Sequence, residues 1–322
     1  HVSYFQHFFL SLHHLIKSSL KMLGRRQIRE KVVQTLYSYH QNPIKTDVLE
    51  KNMFTEIEKI YHLYIYQINF LVALKDLAEN QIEIAKNKYI KTEEDINPNL
   101  KFVNNQVLIQ LEQNEERLSF TSKHKNLNWE LHDDLLVKTF QRIVAGKRYQ
   151  DYMVDETLSF EDDQKFVGKL FLRYIAENED FHDRLEGMEM SWADDFHVAN
   201  SMVQKTIGFM KAEHAMHTLI KMIKDDEDRQ FAKKLLLQSI NHWDSTEKKV
   251  EERLQNWDLE RISLMDKIIL IAAISELDFF PLTPARVIIN EYIEISKVFA
   301  TDKSQVFVNG ILDKYTKDFS RV

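Results

Sequence analysis

Only six glycines and four prolines punctuate 322 residues, and this scarcity constrains the fold more than any other feature. Tight hairpin turns and bulges draw heavily on these two residue types. The stretches between them are rich in Leu, Ile, Glu, Lys and Gln, which lose little side-chain freedom in a helix. The expected fold class is therefore all-α. The same scarcity excludes chemistry. Gly24, Gly146, Gly168, Gly187, Gly208 and Gly310 lie too far apart to build G-x-G-x-x-G or G-x-x-x-x-G-K-[ST], the loops whose bare backbone cradles a phosphate. Rossmann and P-loop enzymes are set aside on that ground.

Cysteine is absent, which removes disulfides, thiolate metal sites and a cysteine nucleophile, and fits a cytoplasmic location. No apolar run approaches the ~18 residues of a membrane span. The net charge of −7 argues against a nucleic-acid partner only if charge is spread evenly, and it is not. Lys17, Lys21, Arg25, Arg26, Arg29 and Lys31 stand against Glu30 alone in the first 31 residues. A basic end of this kind acts over about one Debye length, ~8 Å at physiological salt, whatever the charge of the rest. It also fits a solvated helix terminus.

Residues 1–21 hold Phe and His in abundance, no acid, and are followed by Met22. Their lysines come after the apolar run rather than before it, unlike a secretory signal. They are expected to be a leader outside the fold. From Leu23 to His40 the residues Ile28, Val32, Leu36 and Tyr39 form one apolar stripe. Arg25, Arg26 and Arg29 cluster at the start of this helix, where each cation opposes the helix dipole by ~0.3–1 kcal/mol. A partner anion would relieve the conflict. Asn42-Pro43 ends the helix. Further on, Tyr61, Leu63, Tyr64, Ile65, Tyr66, Ile68, Phe70 and Leu71 are apolar nearly all round, the mark of a buried helix.

Asp163, Phe166, Lys169, Leu170, Leu172, Ile175, Glu186 and Trp192 recur as Asp228, Phe231, Lys234, Leu235, Leu237, Ile240, Glu251 and Trp257, always 65 residues later. The recurrence is either a structural duplication or the shared composition of amphipathic helices. Among thirteen histidines only Glu179-x-x-His182 has the spacing of a di-metal bundle; Asp194-x-x-His197 is a near miss, and His214 with His217 lacks the carboxylate. No metal site and no cofactor are expected.

Near the end of the chain, Trp257 to Ile262 opens a helix with the stripe Ile262, Met265, Ile269 and Ala272, and Thr283-Pro284 supplies an N-cap and a proline at N1 for the next. Two short strings follow: Val287-Ile288-Ile289-Asn290-Glu291 and Phe307-Val308-Asn309-Gly310. Asn290 interrupts an apolar stripe, so its amide is expected to be buried and bonded to a neighbouring helix backbone. Gly310 costs about 1 kcal/mol against alanine in a helix, which points to a close approach by another helix or a ligand.

Arg25-Arg26-Gln27-Ile28-Arg29-Glu30 with Gln34-Thr35-Leu36-Tyr37-Ser38, then Asp266-Lys267, Glu276-Leu277, Pro284-x-x-Val287-x-Ile289-Asn290-Glu291 and Phe307-Val308-Asn309-Gly310, resemble in order and spacing the motifs of the NusB family. The resemblance covers residues 22–42 and 226–319 and leaves 43–225 as a helical insertion. It implies a NusB-like helical bundle, enlarged by that insertion. It also implies a non-catalytic, RNA-binding transcription antitermination factor. The expected partners are the boxA element of nascent ribosomal RNA transcripts, the small-subunit ribosomal protein NusE, and the RNA polymerase antitermination complex. By position, Arg25, Arg26 and Arg29 would contact RNA phosphates, Ser304, Gln305 and Phe307 would face the RNA, and Glu276 would belong to the ribosomal-protein interface. Two positions depart from the pattern: Ile271 replaces an arginine, and Asp302-Lys303 adds positive charge to a turn that is usually acidic. Ribosomal RNA cytosine methyltransferases carry a similar domain, but they need a cysteine nucleophile that this chain lacks. The alternative is a non-catalytic helical protein-interaction scaffold without RNA binding.

Overall fold

A computed structural model describes residues 24–156, 159–213, 219–220, 223, 225–254 and 262–318. Among the described residues every regular element is a helix, as the scarcity of breakers requires. The expected leader, His214, His217 and Trp257 lie outside the described residues.

The chain divides into two compact units, His1–Ile57 with Lys221–Val322, and Glu58–Ile220. Helix α1 spans residues 24–41. The next helix, α2 (Thr46–Lys86), crosses from the first unit into the second. Its opening turns bury Leu49, Met53 and Ile57. The first unit therefore takes in more of the N-terminal segment than residues 22–42.

Within this first unit the remaining elements are α11 (Asp226–Asn241), α12 (Trp243–Glu251), α13 (Leu264–Phe279), α14 (Ala285–Phe299) and α15 (Asp302–Asp318). Helix α13 is the centre, packed by α11, α12, α14 and α15. Every residue from Ile268 to Leu277 is buried, so the expected single stripe is replaced by burial all round, and Ile262 and Met265 are only half-buried. Ile271, where the family pattern has an arginine, is one of these core residues. Around it close Ile28, Val32, Val33 and Leu36 of α1, Phe231 and Leu235 of α11, Tyr292 and Ile295 of α14, and Val308 and Leu312 of α15. Helix α14 begins one residue later than expected, with Pro284 rather than Thr283 at the cap position.

The second unit holds α3 (Glu93–Ile96), α4 (Gln106–Glu112), α5 (Glu115–Lys123), α6 (Asp134–Ala145), α7 (Lys147–Val154), α8 (Phe160–Phe171), α9 (Glu179–Met188) and α10 (Ser191–Phe209). The remainder of α2 is its core, buried without a break from Leu63 to Lys75. Tyr66 and Phe70 meet Trp129 at 4.5 Å each between ring centres, and Phe70 meets Phe181 at 5.0 Å. These aromatic rings fill the unit's interior, so they are packing groups rather than base-stacking ones. Asn69, buried among them, donates to the Leu127 carbonyl and accepts from Arg117 at 2.8 Å each.

The 65-residue recurrence is visible in two successive helices among the described residues. α8 and α11 both open on capped first turns, where Ser159 accepts from the Asp162 amide and Asp225 from that of Asp228. Phe166 and Leu170 are buried in one, Phe231 and Leu235 in the other. The following helices, α9 and α12, also correspond. A π-helical turn, Leu172–Ala176, follows α8, and the counterpart of the α10 start at Ser191 falls outside the described residues.

Candidate nucleic-acid interface

Helix α1 carries its arginines on a turn flanked by three other helices of the same unit. Arg29 donates to both oxygens of Glu276 on α13, at 2.7 Å from Nε and 2.5 Å from Nη2. Arg26 makes the same fork to Glu291 on α14, at 2.9 and 2.8 Å. Arg25 contacts Glu227 and, at 3.4 Å, Asp228 in the first turn of α11. The Phe231 ring lies 5.2 Å from the Arg25 guanidinium carbon and 5.1 Å from that of Arg29. A planar guanidinium offers a two-donor fork that matches a carboxylate, which explains why arginine fills these positions. The dipole conflict at the start of α1 is thus relieved by carboxylates of the chain itself.

Exposure grades the three. Arg29 is 3% exposed and Glu276 0%, so this pair belongs to the interior. Burial works against the Arg29 charge, but the bond and charge of Glu276 outweigh it and hold the guanidinium above its ordinary value. Arg26 is also raised, first by its bond to Glu291. The side chains of Arg25 and Arg26 retain 21% and 31% exposure.

Two expectations are corrected here. Arg29 cannot offer a phosphate its fork while Glu276 holds it, and Glu276 presents no surface to a protein partner. An expected RNA group and an expected partner group instead bond each other, because a buried arginine requires a buried carboxylate.

On α15 a third correction concerns Ser304. Its side chain is 3% exposed and accepts from the Thr301 amide at 3.2 Å, with the Thr301 hydroxyl 3.0 Å away. Ser304 secures the start of α15 rather than facing outward. Gln305 and Phe307 are half-buried. Val308, Ile311, Leu312 and Tyr315 turn inward, leaving Val306, Asn309, Gly310 and Asp313 exposed on one face of the helix. A Cβ at Gly310 would meet nothing within 4 Å, so among the described residues no helix approaches it closely.

Asn290 is likewise exposed, contrary to expectation. At 3.6 residues per turn it lies about 200° around α14 from Ile288, on the side away from the core. The two C-terminal strings therefore divide. Ile288, Ile289, Glu291 and Val308 build the core, and Asn290, Asn309 and Gly310 face outward.

In the second unit, Asp76, Glu79 and Glu112 bring carboxylate oxygens within 4.8 Å of one another, a grouping that no sequence spacing announced. Lys75, itself 3% exposed, reaches Glu79 at 2.6 Å and Glu112 at 3.1 Å, so the chain supplies this cluster with its own cation. Burial, then Glu112, raises the Asp76 carboxyl above its usual range. His182, of the Glu-x-x-His spacing, packs its ring edge-on to Phe196 at 3.8 Å and contacts the Ala176 carbonyl at 3.1 Å, which is a packing role. No helix among the described residues is long and apolar enough to cross a membrane.

An all-helical unit whose N-terminal helix is clasped through arginine–carboxylate forks to two C-terminal helices defines a helical-bundle protein. Comparison with known proteins specifies the class further. Residues 197–317, from α10 into α15, match the model of the NusB family. The transcription antitermination protein NusB of Lysinibacillus sphaericus is 36% identical over 95 residues, which are 30% of this chain and 75% of that protein. That of Methylacidiphilum infernorum is 38% identical over 97 residues, 30% of this chain and 68% of the relative. That of Koribacter versatilis is 33% identical over 119 residues, 36% of this chain and 82% of the relative. The chain belongs to the NusB family. No solved structure matches it.

Proposed function

We propose that this protein is a non-catalytic transcription antitermination factor that binds a boxA-type RNA together with the ribosomal protein NusE. The observation that carries the reading is family membership through relatives that bear the name transcription antitermination protein. It is supported by the outward half of the C-terminal motifs. Asn309 and Gly310 occupy an exposed helix face that no packing demand of the unit explains, with Gln305 and Phe307 beside it. Arg25 and Arg26 supply phosphate contacts through their exposed edges, and Arg29 with Glu276 holds α1 in place beneath them. Phosphate contacts of this kind give affinity, and unstacked bases read by aromatic and polar side chains give discrimination.

The test is a titration of the purified chain with a boxA-like RNA, with and without NusE. Weaker binding by Asn309→Ala and Gln305→Ala, with an unchanged melting temperature, supports the reading. Absence of RNA binding even with NusE present rejects it. A second reading, a helical interaction scaffold without RNA binding, is favoured by one observation: all three arginines of α1 already face carboxylates.

A further inference from the structure

The three arginine contacts differ in how easily an incoming anion can replace the carboxylate. Arg29 with Glu276 is sealed in the core, and Arg26 is held by both oxygens of the buried Glu291. At Arg25 the situation is different. Of the Arg25 nitrogens Nη2 reaches Glu227, whose own side chain is 63% exposed. The second contact, from Nε to Asp228, is long at 3.4 Å. A guanidinium has five donors in a fork that suits a phosphate as well as a carboxylate.

Releasing Glu227 costs little for a further reason. It sits in the first turn of α11 with Asp226 and Asp228, where a carboxylate remains favoured by the helix dipole even without its arginine. An exposed ion pair of this kind contributes only ~0–1 kcal/mol.

We propose that Glu227 is a built-in competitor for phosphate at Arg25, holding the guanidinium in the free protein and giving it up when RNA binds. The proposal rests on the RNA-binding reading and adds a regulator to the same site. Glu227 lowers RNA affinity, because its contact with Arg25 must be broken before the phosphate is bound, while the cations released on binding come from the RNA in either case. Arg25 is thereby made selective for anions strong enough to displace a tethered carboxylate.

The experiment compares wild type, Glu227→Gln, Arg25→Ala and the double variant, titrated with a single-stranded boxA-like RNA at several salt concentrations. Glu186→Gln, at an exposed position in the second unit, controls for the change in net charge. Circular dichroism and melting confirm that each variant is folded. Glu227→Gln is expected to bind about 1.5- to 5-fold more tightly at low salt, the factor that an exposed pair corresponds to. The plot of log affinity against log salt is expected to flatten by about 0.7 in Arg25→Ala, which loses one phosphate contact on a single strand, and to keep nearly the wild-type slope in Glu227→Gln. The gain should vanish in the Arg25→Ala background and be absent from Glu186→Gln. If Glu227→Gln binds like wild type, or its gain survives the loss of Arg25, the proposal is overturned while the RNA-binding reading stands. If only Glu227→Gln binds detectably, the competitor role is supported. If neither binds, both readings are overturned.

Discussion

Arg29 and Glu276 meet across 247 residues of sequence in a buried two-bond fork, at 2.7 and 2.5 Å. Both side chains are buried, so each charge depends on the other, with Glu291 a second and more distant carboxylate 3.8 Å from Arg29. Glu276→Ala is therefore expected to destabilise the first unit by about 3–5 kcal/mol, the usual cost of orphaning a buried charge. Replacing both residues, as Arg29→Met with Glu276→Leu, should cost much less. Denaturant unfolding of the two variants checks this; equal losses would mean that the pair holds the fold by more than mutual compensation.

Two glycines are expected to respond in opposite directions to alanine. At Gly310 the added methyl meets nothing within 4 Å in a helix interior, so Gly310→Ala should stabilise the unit by about 0.5–1 kcal/mol. At Gly146, between α6 and α7, the methyl would fall 2.4 Å from the Tyr174 hydroxyl and 3.1 Å from the Ile143 carbonyl. Gly146→Ala should destabilise by about 1–3 kcal/mol, as overpacking does. Tyr174→Phe in the same chain should recover part of that loss. Thermal melts of the three variants decide it.

His62 sets an acid-side dependence in the second unit. Burial pushes its pKa down, the neighbouring His124 adds to the effect, and Glu58 opposes both. Its Nε2 is buried without a hydrogen-bond partner, and its ring packs 4.4 Å from that of His124 and 5.2 Å from that of Phe120. The folded chain therefore binds this proton less readily than the unfolded chain, whose histidine titrates near ~6.5. Stability is intact above that pH and is lost as pH falls from it toward the lower folded value. His62→Phe should flatten the unfolding free energy below about pH 6.5. An unchanged slope would place the dependence elsewhere.

At α3 the sign is the same but the window lies lower. Lys88 donates to Asp95 at 2.8 Å, and Asp95 also accepts from the Thr92 amide at 2.9 Å, closing a reciprocal cap with the Thr92 hydroxyl. Lys88, then Thr92, holds the Asp95 carboxyl down at about 2. The contribution is present above the ordinary aspartate range, ~3.9, and is lost as pH falls through the depressed value. Carbon-detected NMR titration should find the low value in wild type and a higher one in Lys88→Ala.

Much of the helical layout could be read from the chain, because few breakers and a strong apolar period act locally. The stripe of Ile28, Val32 and Leu36 and the all-round apolar run of α2 are both buried where the pattern puts them. The candidate site was less legible. Arg25, Arg26 and Arg29 look like a basic patch in sequence, since their carboxylate partners lie more than 200 residues away. A local pattern cannot distinguish an arginine that awaits a phosphate from one already paired. Asn290 was misjudged for a different reason. Its neighbours are apolar, but a residue's face follows the helical angle rather than adjacency. Ser304 was misjudged because its hydroxyl serves the backbone of its own helix start, a use that residue type alone leaves open.

The division of the first unit between the two ends of the chain also orders events in time. Helix α1 is complete at residue 41, but α13, which holds the partner of Arg29, begins only at Leu264. At the ~5–20 residues per second of synthesis, that interval is roughly 10–45 s. Throughout it Arg26 and Arg29 lack the carboxylates of α13 and α14, and Arg25 lacks those of α11 until residues 227 and 228 are made, while the residues of the second unit, Glu58–Ile220, are all available to fold first. The seating of α1 through Arg26 and Arg29 therefore has to wait for residues made more than 200 positions later.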